Sequence, residues 1–272
     1  MLNFKGNKSR TPPVSVRRQL RKEVGFGCPF CGSPYLEYHH FDPTWAQGQL
    51  HRPEGMIALC TSHHRQADNG TFTNQQLYKQ KRIIRDRFIR GKFEWRRRHF
   101  VLLLGGNVVH TVKNILRWDN NPIIWIDYDE DDYETLSMKF ANTRGETVYE
   151  MIDNDWLVSN NAEDIECPPG GRKLKLSSPN NGINLQILFQ SHKMLALEEL
   201  NRVRELGVPI TDNLVICKVT GSISHPFEFS FDNEISLSGM HMSRGIVRNV
   251  EDVFVVESSS NPRLTGIGRT TP

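Results

Sequence analysis

Two short pairs of residues constrain this chain more than anything else in it. Cys28-Pro29-Phe30-Cys31 and Cys60-Thr61-Ser62-His63 each place two metal-ligating side chains three positions apart. At that spacing a single tight turn presents both to one ion, and two such turns complete a tetrahedral Cys3His set. Pro29 and Gly32 supply the turn chemistry of the first. The plain alternative, free thiols beside a surface histidine, does not account for two matched half-sites. A structural zinc held by Cys28, Cys31, Cys60 and His63 is therefore expected.

The segment between the pairs carries more imidazole. Tyr38-His39-His40-Phe41-Asp42-Pro43 is a histidine pair followed by an Asp-Pro turn, and His64 comes directly after the last zinc ligand. Asp68 follows at i+4, which puts His64 and Asp68 on one face of a helix starting near Ser62. One loop imidazole with His64 and Asp68 would hold a divalent metal and leave positions open for a phosphate oxygen and water. The second loop imidazole, unligated, is then available as a general base, since a metal-bound imidazole has no lone pair left to accept a proton.

The run CPFCG…YHHFDP…IALCTSHHRQAD, with the helix RRQLRKEVGFG before it, resembles the HNH endonucleases stapled by a zinc knuckle. The histidine pair with Pro43 three residues on is similar to that of the colicin-type members. The likeness covers residues 14 to 70. It implies a ββα-metal fold, His39 as the first metal ligand, His40 as the general base and His64 as the final motif histidine on the metal. Asp68 falls where some members place a further ligand. The central Asn of the family is missing. Its place falls on Gly55, and Glu54, Gln47 and His51 are the neighbours able to substitute.

Charge divides the chain. Residues 1–100 hold 19 Lys and Arg against 7 Asp and Glu, a net +12, whereas residues 101–272 hold 15 against 24, a net −9. The basic part suits a polyanion. Within it, Arg17, Arg18 and Arg21 lie on a short helix over 14–24 that Gly25 and Gly27 close. A second, long helix is expected from Asn74 to about Arg98, capped by Thr71 or Thr73, with Leu77, Ile84 and Phe88 at helical spacing and Gly91 as a kink. Lys81, Arg82 and Arg85 on its other face have few acids nearby, which favours contact with phosphates over a merely solvated face.

Beyond residue 100 the period becomes two. Leu174 and Leu176, the turn Asn180-Asn181-Gly182, then Ile183, Leu185 and Ile187 predict one hairpin; Phe229 and Phe231, a turn at Asp232 to Glu234, then Ile235 and Leu237 predict another. Pro122 to Tyr128 and Asn213 to Thr220 read as more buried strands, and one helix is expected over about 193–206. Asp127 to Asp132 lacks the Gly and Glu of a calcium loop and reads as a solvated turn. Cys167 to Gly171 reads as a rigid loop.

The expectation is an α+β chain: a zinc-stapled ββα-metal HNH domain over 1–99, then a β-rich domain over 100–272. The first is a metal-dependent endonuclease acting on nucleic acid, double-stranded DNA foremost, with Mg2+, Mn2+, Ni2+ or Zn2+ in the catalytic site. The alternative is a degenerate, zinc-stabilised nucleic-acid-binding module. The β-rich domain offers a surface for a protein partner or self-association. No apolar run is long enough to span a membrane, no secretory signal is visible, and the cysteine pattern fits a reducing cytoplasm better than a disulfide framework.

Overall fold

The computed structural model describes residues 9–81, 88–159, 162–225, 227–237 and 240–256. The chain is mixed α+β and divides into two compact units, 1–89 with 164–170, and 90–163 with 171–272. The boundary thus falls before residue 99, and a short segment from far along the chain joins the first unit. Among the described residues no helix is long and apolar enough to cross a membrane.

The first unit begins with helix α1 (Val14–Glu23). Proline at its N-cap sets the entry, and its end is a Schellman turn: Phe26 N–H donates to Arg21 O, Gly25 N–H donates to Lys22 O, and Gly25 takes φ +62°. Strand β1 (Leu36–His40), a single helical turn α2 (Trp45–Gly48), strand β2 (Met56–Cys60) and helix α3 (Thr61–Asp68) follow. β1 and β2 are antiparallel, with Leu36 opposite Cys60 and His40 opposite Met56. Helix α4 (Asn74–Lys81) starts in a reciprocal cap: Thr73 N–H donates to the Gln76 side chain and Gln76 N–H donates to Thr73 Oγ1. Leu20, Val24, Leu36, Phe41, Met56, Ile57, Leu59 and Leu77 form the core of this unit. Its last piece is the strand Asp164–Glu166.

The long basic helix is not formed. Residues 82–87, including Arg82 and Arg85, lie outside the described residues, and Ile89–Lys92 is strand β3. Leu77, Ile84 and Phe88 matched a helical period, but Ile89, Gly91 and Phe93 also match a period of two. Burial decides between them: Ile89 and Phe93 are inside and Phe88 is exposed. Gly91 is where the Trp156 ring rests; a Cβ there would sit 2.2 Å from it.

The second unit is built on one sheet. β4 (His99–Leu104), β5 (Asn107–Trp118), β6 (Asn121–Tyr128), β7 (Glu134–Ala141), β8 (Thr147–Ile152) and β9 (Asp155–Val158) are sequential antiparallel neighbours. On the other side of β4 lies the strand Leu214–Ile223, parallel to it. That strand is also antiparallel to Ile183–Ser191, which pairs with Lys173–Ser178. Leu214–Ile223 is central and buried on both faces at its start, as its sequence suggests, whereas β6 alternates, with Ile124 and Ile126 inside and Pro122 exposed. Both expected hairpins form: Ser178 pairs with Ile183 across Gly182 at φ +66°, and Ser230 pairs with Ser236. The helix occupies Leu197–Glu205. The acidic run after Ile126 is a turn in which Asp129 accepts from the Asp131 and Tyr133 N–H groups and pairs with Arg96.

Candidate metal centres

The two ligand pairs meet. Gly32, at φ +83°, returns the chain so that its N–H donates to Cys28 O, while Cys28 N–H donates to Ser33 O. β2 ends on Cys60 and α3 begins at once, which brings His63 back over the same point. The four ligand atoms lie within 4.8 Å of one another. Cys31 Sγ and Cys60 Sγ are 3.7 Å apart, and His63 Nδ1 is 3.5 Å from Cys28 Sγ and 3.2 Å from Cys60 Sγ. A tetrahedral zinc has edges of about 3.8 Å between sulfurs and about 3.5 Å between sulfur and nitrogen, given ordinary zinc–ligand bond lengths. The set therefore fits such an ion and can hold a metal. A disulfide is excluded at that separation. Phe30 stacks on the His63 ring at 4.9 Å and on Phe72 at 4.3 Å, which fixes the imidazole. Burial pushes the Cys28 thiol up to about 12, so a thiolate there needs a cation beside it.

A second set forms on the neighbouring face. Glu37 and His39 are two apart on β1 and so share a face; His64 and Asp68 are one helical turn apart on α3. His39, His64 and Asp68 offer ligand atoms within 4.8 Å of one another. Asp68 places one carboxylate oxygen 3.2 Å from His39 Nδ1 and the other 3.3 Å from His64 Nδ1. The two rings stand edge to face, 5.1 Å between centroids. His39 Nδ1 is buried, with the Asp68 carboxylate oxygen at 3.2 Å beside it. Burial, then the neighbouring His64, lowers the His39 pKa and keeps the ring neutral, the form a metal needs. The fit to a divalent ion with open positions is good. Glu37 Oε2, 3.4 Å from His64 Nδ1, is a fourth group beside the cluster and its second carboxylate, one that sequence reasoning missed; period-two alternation from His39 is the signal for it.

His40 belongs to the opposite face of β1 and is not in this cluster. It is 4% exposed. Its Nε2 is 3.1 Å from His51 Nδ1, and Trp45 lies against both rings at 5.0 Å. Burial, then His51 and Arg10, lower its pKa to about 4. Of Glu54, Gln47 and His51, it is His51 whose ring is hydrogen-bonded to that of His40. Gln47 instead caps α2 through Thr44. Gly55 itself has no room for a side chain, because a Cβ would sit 1.5 Å from Asp42 O. Its carbonyl accepts from both Phe41 N–H and Asp42 N–H and so braces the loop with backbone alone.

The basic residues fare unevenly. Arg21 is removed from the expected polyanion-binding set: it is 1% exposed, its guanidinium donates to both Asp164 oxygens at 2.9 and 2.6 Å, and it also donates to Tyr38 Oη. Lys81 is likewise committed, to Glu23 at 3.0 Å and to the Pro53 carbonyl. Arg17 and Arg18 stay partly exposed, facing Glu166 and Asp164. Arg10, assigned by sequence to a flexible lead-in, lies near enough to depress both His39 and His40. With Arg17, Glu37, Tyr38 and His64 it lines a cavity of about 420 Å3 beside the second cluster. Cys167 is buried, which pushes its thiol up and fits the inert loop expected of it. Comparison of the chain with protein-family models, with curated proteins and with solved structures finds no match.

Proposed function

We propose that the first unit is a metal-dependent endonuclease of the HNH type, hydrolysing phosphodiester bonds of nucleic acid, with double-stranded DNA the leading substrate. The observation that carries this is the convergence of His39, His64 and Asp68 within 4.8 Å, with His64 directly following His63 of a separate Cys3His set. One strand of the antiparallel pair, β1, supplies His39, and the helix that follows the other strand supplies His64 and Asp68. In this reading Cys28, Cys31, Cys60 and His63 hold zinc and fix the β2–α3 junction. A divalent ion on His39, His64 and Asp68 supplies a Lewis acid for the scissile phosphate. His40 accepts the proton of the attacking water. Arg10, Arg17 and Arg18 hold the phosphate backbone, which gives affinity with little sequence preference. A zinc knuckle and cysteines not joined in disulfides suit a reducing cytoplasm, and the second unit offers a surface for a partner or for self-association.

One observation favours a second reading, a non-cleaving zinc-stabilised nucleic-acid binder: Gly55 stands where the family has its Asn. Nicking of supercoiled plasmid by the full chain with Mg2+, Mn2+, Ni2+ or Zn2+, abolished by chelation, separates the two. Under the first reading His40→Ala keeps both metals and slows nicking by roughly 10²–10⁴-fold, the worth of a placed general base. Intact plasmid with every metal, alongside retained DNA binding, selects the second.

A further inference from the structure

The pair His40–His51 has a direction that the backbone imposes. His51 Nε2 lies 3.0 Å from the carbonyl oxygen of Ser9. A carbonyl only accepts, so Nε2 of His51 carries the hydrogen. In the neutral ring Nδ1 of His51 is then a bare acceptor. It faces Nε2 of His40 at 3.1 Å, so that nitrogen in turn carries a hydrogen and donates. What remains on His40 is Nδ1, which is buried and has no hydrogen-bond partner among the described residues. Trp45, at 5.0 Å from each ring and nearly parallel to that of His51, limits rotation of either. One main-chain carbonyl thus sets the tautomers of two consecutive imidazoles.

We infer that His51 is a positioning residue that replaces the missing asparagine: held by the Ser9 carbonyl, it fixes His40 as the Nε2–H tautomer and leaves His40 Nδ1 as the nitrogen that takes up a proton. This rests on the nuclease reading for its catalytic consequence, though not for the hydrogen-bond chain. It also explains how Gly55 is tolerated. Gly55 braces the loop through its carbonyl, and His51 performs the orienting that a side chain at position 55 has no space to perform.

The test uses the full zinc-loaded chain, supercoiled plasmid and Mn2+. His51→Phe keeps a ring against Trp45 and deletes both nitrogens; kcat is expected to fall about 10- to 100-fold with KM little changed, as for a base that is present but wrongly oriented. His51→Asn puts an amide oxygen where Nδ1 was and is expected to restore most of that loss. A packing role predicts the reverse order, with Phe tolerated and Asn damaging, and that order overturns the inference. Ring-nitrogen NMR of the wild type gives a reading independent of cleavage. His40 is expected as the Nε2–H tautomer and as a mixture in His51→Phe; His40 as the Nδ1–H form overturns the inference. A wild type that does not nick, yet shows the expected tautomers, defeats the nuclease reading and leaves the hydrogen-bond chain standing.

Discussion

The two ligand clusters of the first unit differ in how they are assembled and in what they leave open. Cys28, Cys31, Cys60 and His63 come as two local pairs, close a four-ligand shell, and are packed over by Phe30 and Phe72. His39, His64 and Asp68 join a strand to a helix, stop at three, and through His64 border a cavity that Glu37 and Arg10 also line. A closed tetrahedral shell is the mark of a structural site, and an open one of a chemical site. α3 serves both: His63 turns toward the first and His64 toward the second, about 100° apart on the helix at 3.6 residues per turn. Under the proposed reading, structure and chemistry would be placed one residue apart, the four-ligand cluster setting the position of the three-ligand one.

Four experiments bear on that division, from the largest expected effect to the smallest. Removing zinc should collapse the first unit and with it the second cluster, because metal binding in small zinc folds contributes on the order of 10 kcal/mol to folding. Cys28→Ser, followed by elemental analysis and circular dichroism, should show loss of metal and of folded first unit together; a folded, zinc-free protein would break the comparison outright. His64→Ala should do the opposite, keeping zinc and fold while losing the second ion. Several kcal/mol of transition-state stabilisation go with that ion, so nicking should drop by about 10³-fold or more. Equal loss of zinc in this variant would mean that the two sites are one.

The third experiment concerns the loop beneath the clusters. Gly55→Asn, which family likeness alone suggests as a repair, should destabilise instead, by about 1–3 kcal/mol or more, because the atom in its way is the Asp42 carbonyl and not a movable side chain. A denaturant midpoint no lower than wild type would show that the loop can shift. The smallest effect is expected at Arg10→Ala. It should leave both metals in place and lower the magnitude of the log–log salt slope of DNA binding by about 1, the share of one phosphate contact. An unchanged slope would take Arg10 out of the interface.

A different contrast explains the charge. The split into a +12 and a −9 part suggested a basic face open to phosphate. In the fold, Asp164 and Glu166, counted with the acidic part, belong to the first unit and face Arg17, Arg18 and Arg21. Removing Arg21 would strand a carboxylate that is mostly buried, a loss of about 3–5 kcal/mol for a broken buried pair. Arg21 therefore holds the unit together, and counting charge along the chain overstated what is available to a polyanion.

What the sequence determined by itself is everything that depends on spacings of two to four residues. The knuckle pairs, His64 with Asp68, Gly25 closing α1, Thr73 capping α4 and the hairpin at Gly182 all follow from the rise and twist of one local element. Tertiary structure decided the rest, because those contacts join residues whose separation no local period encodes. It put Glu37 beside His64, Arg21 on Asp164, His51 on His40 and the Asp42 carbonyl against Gly55. It also settled residues 89–92, whose apolar pattern matches both a helix and a strand: with Ile89 inside and the Trp156 ring lying on Gly91, burial favours the strand over local preference.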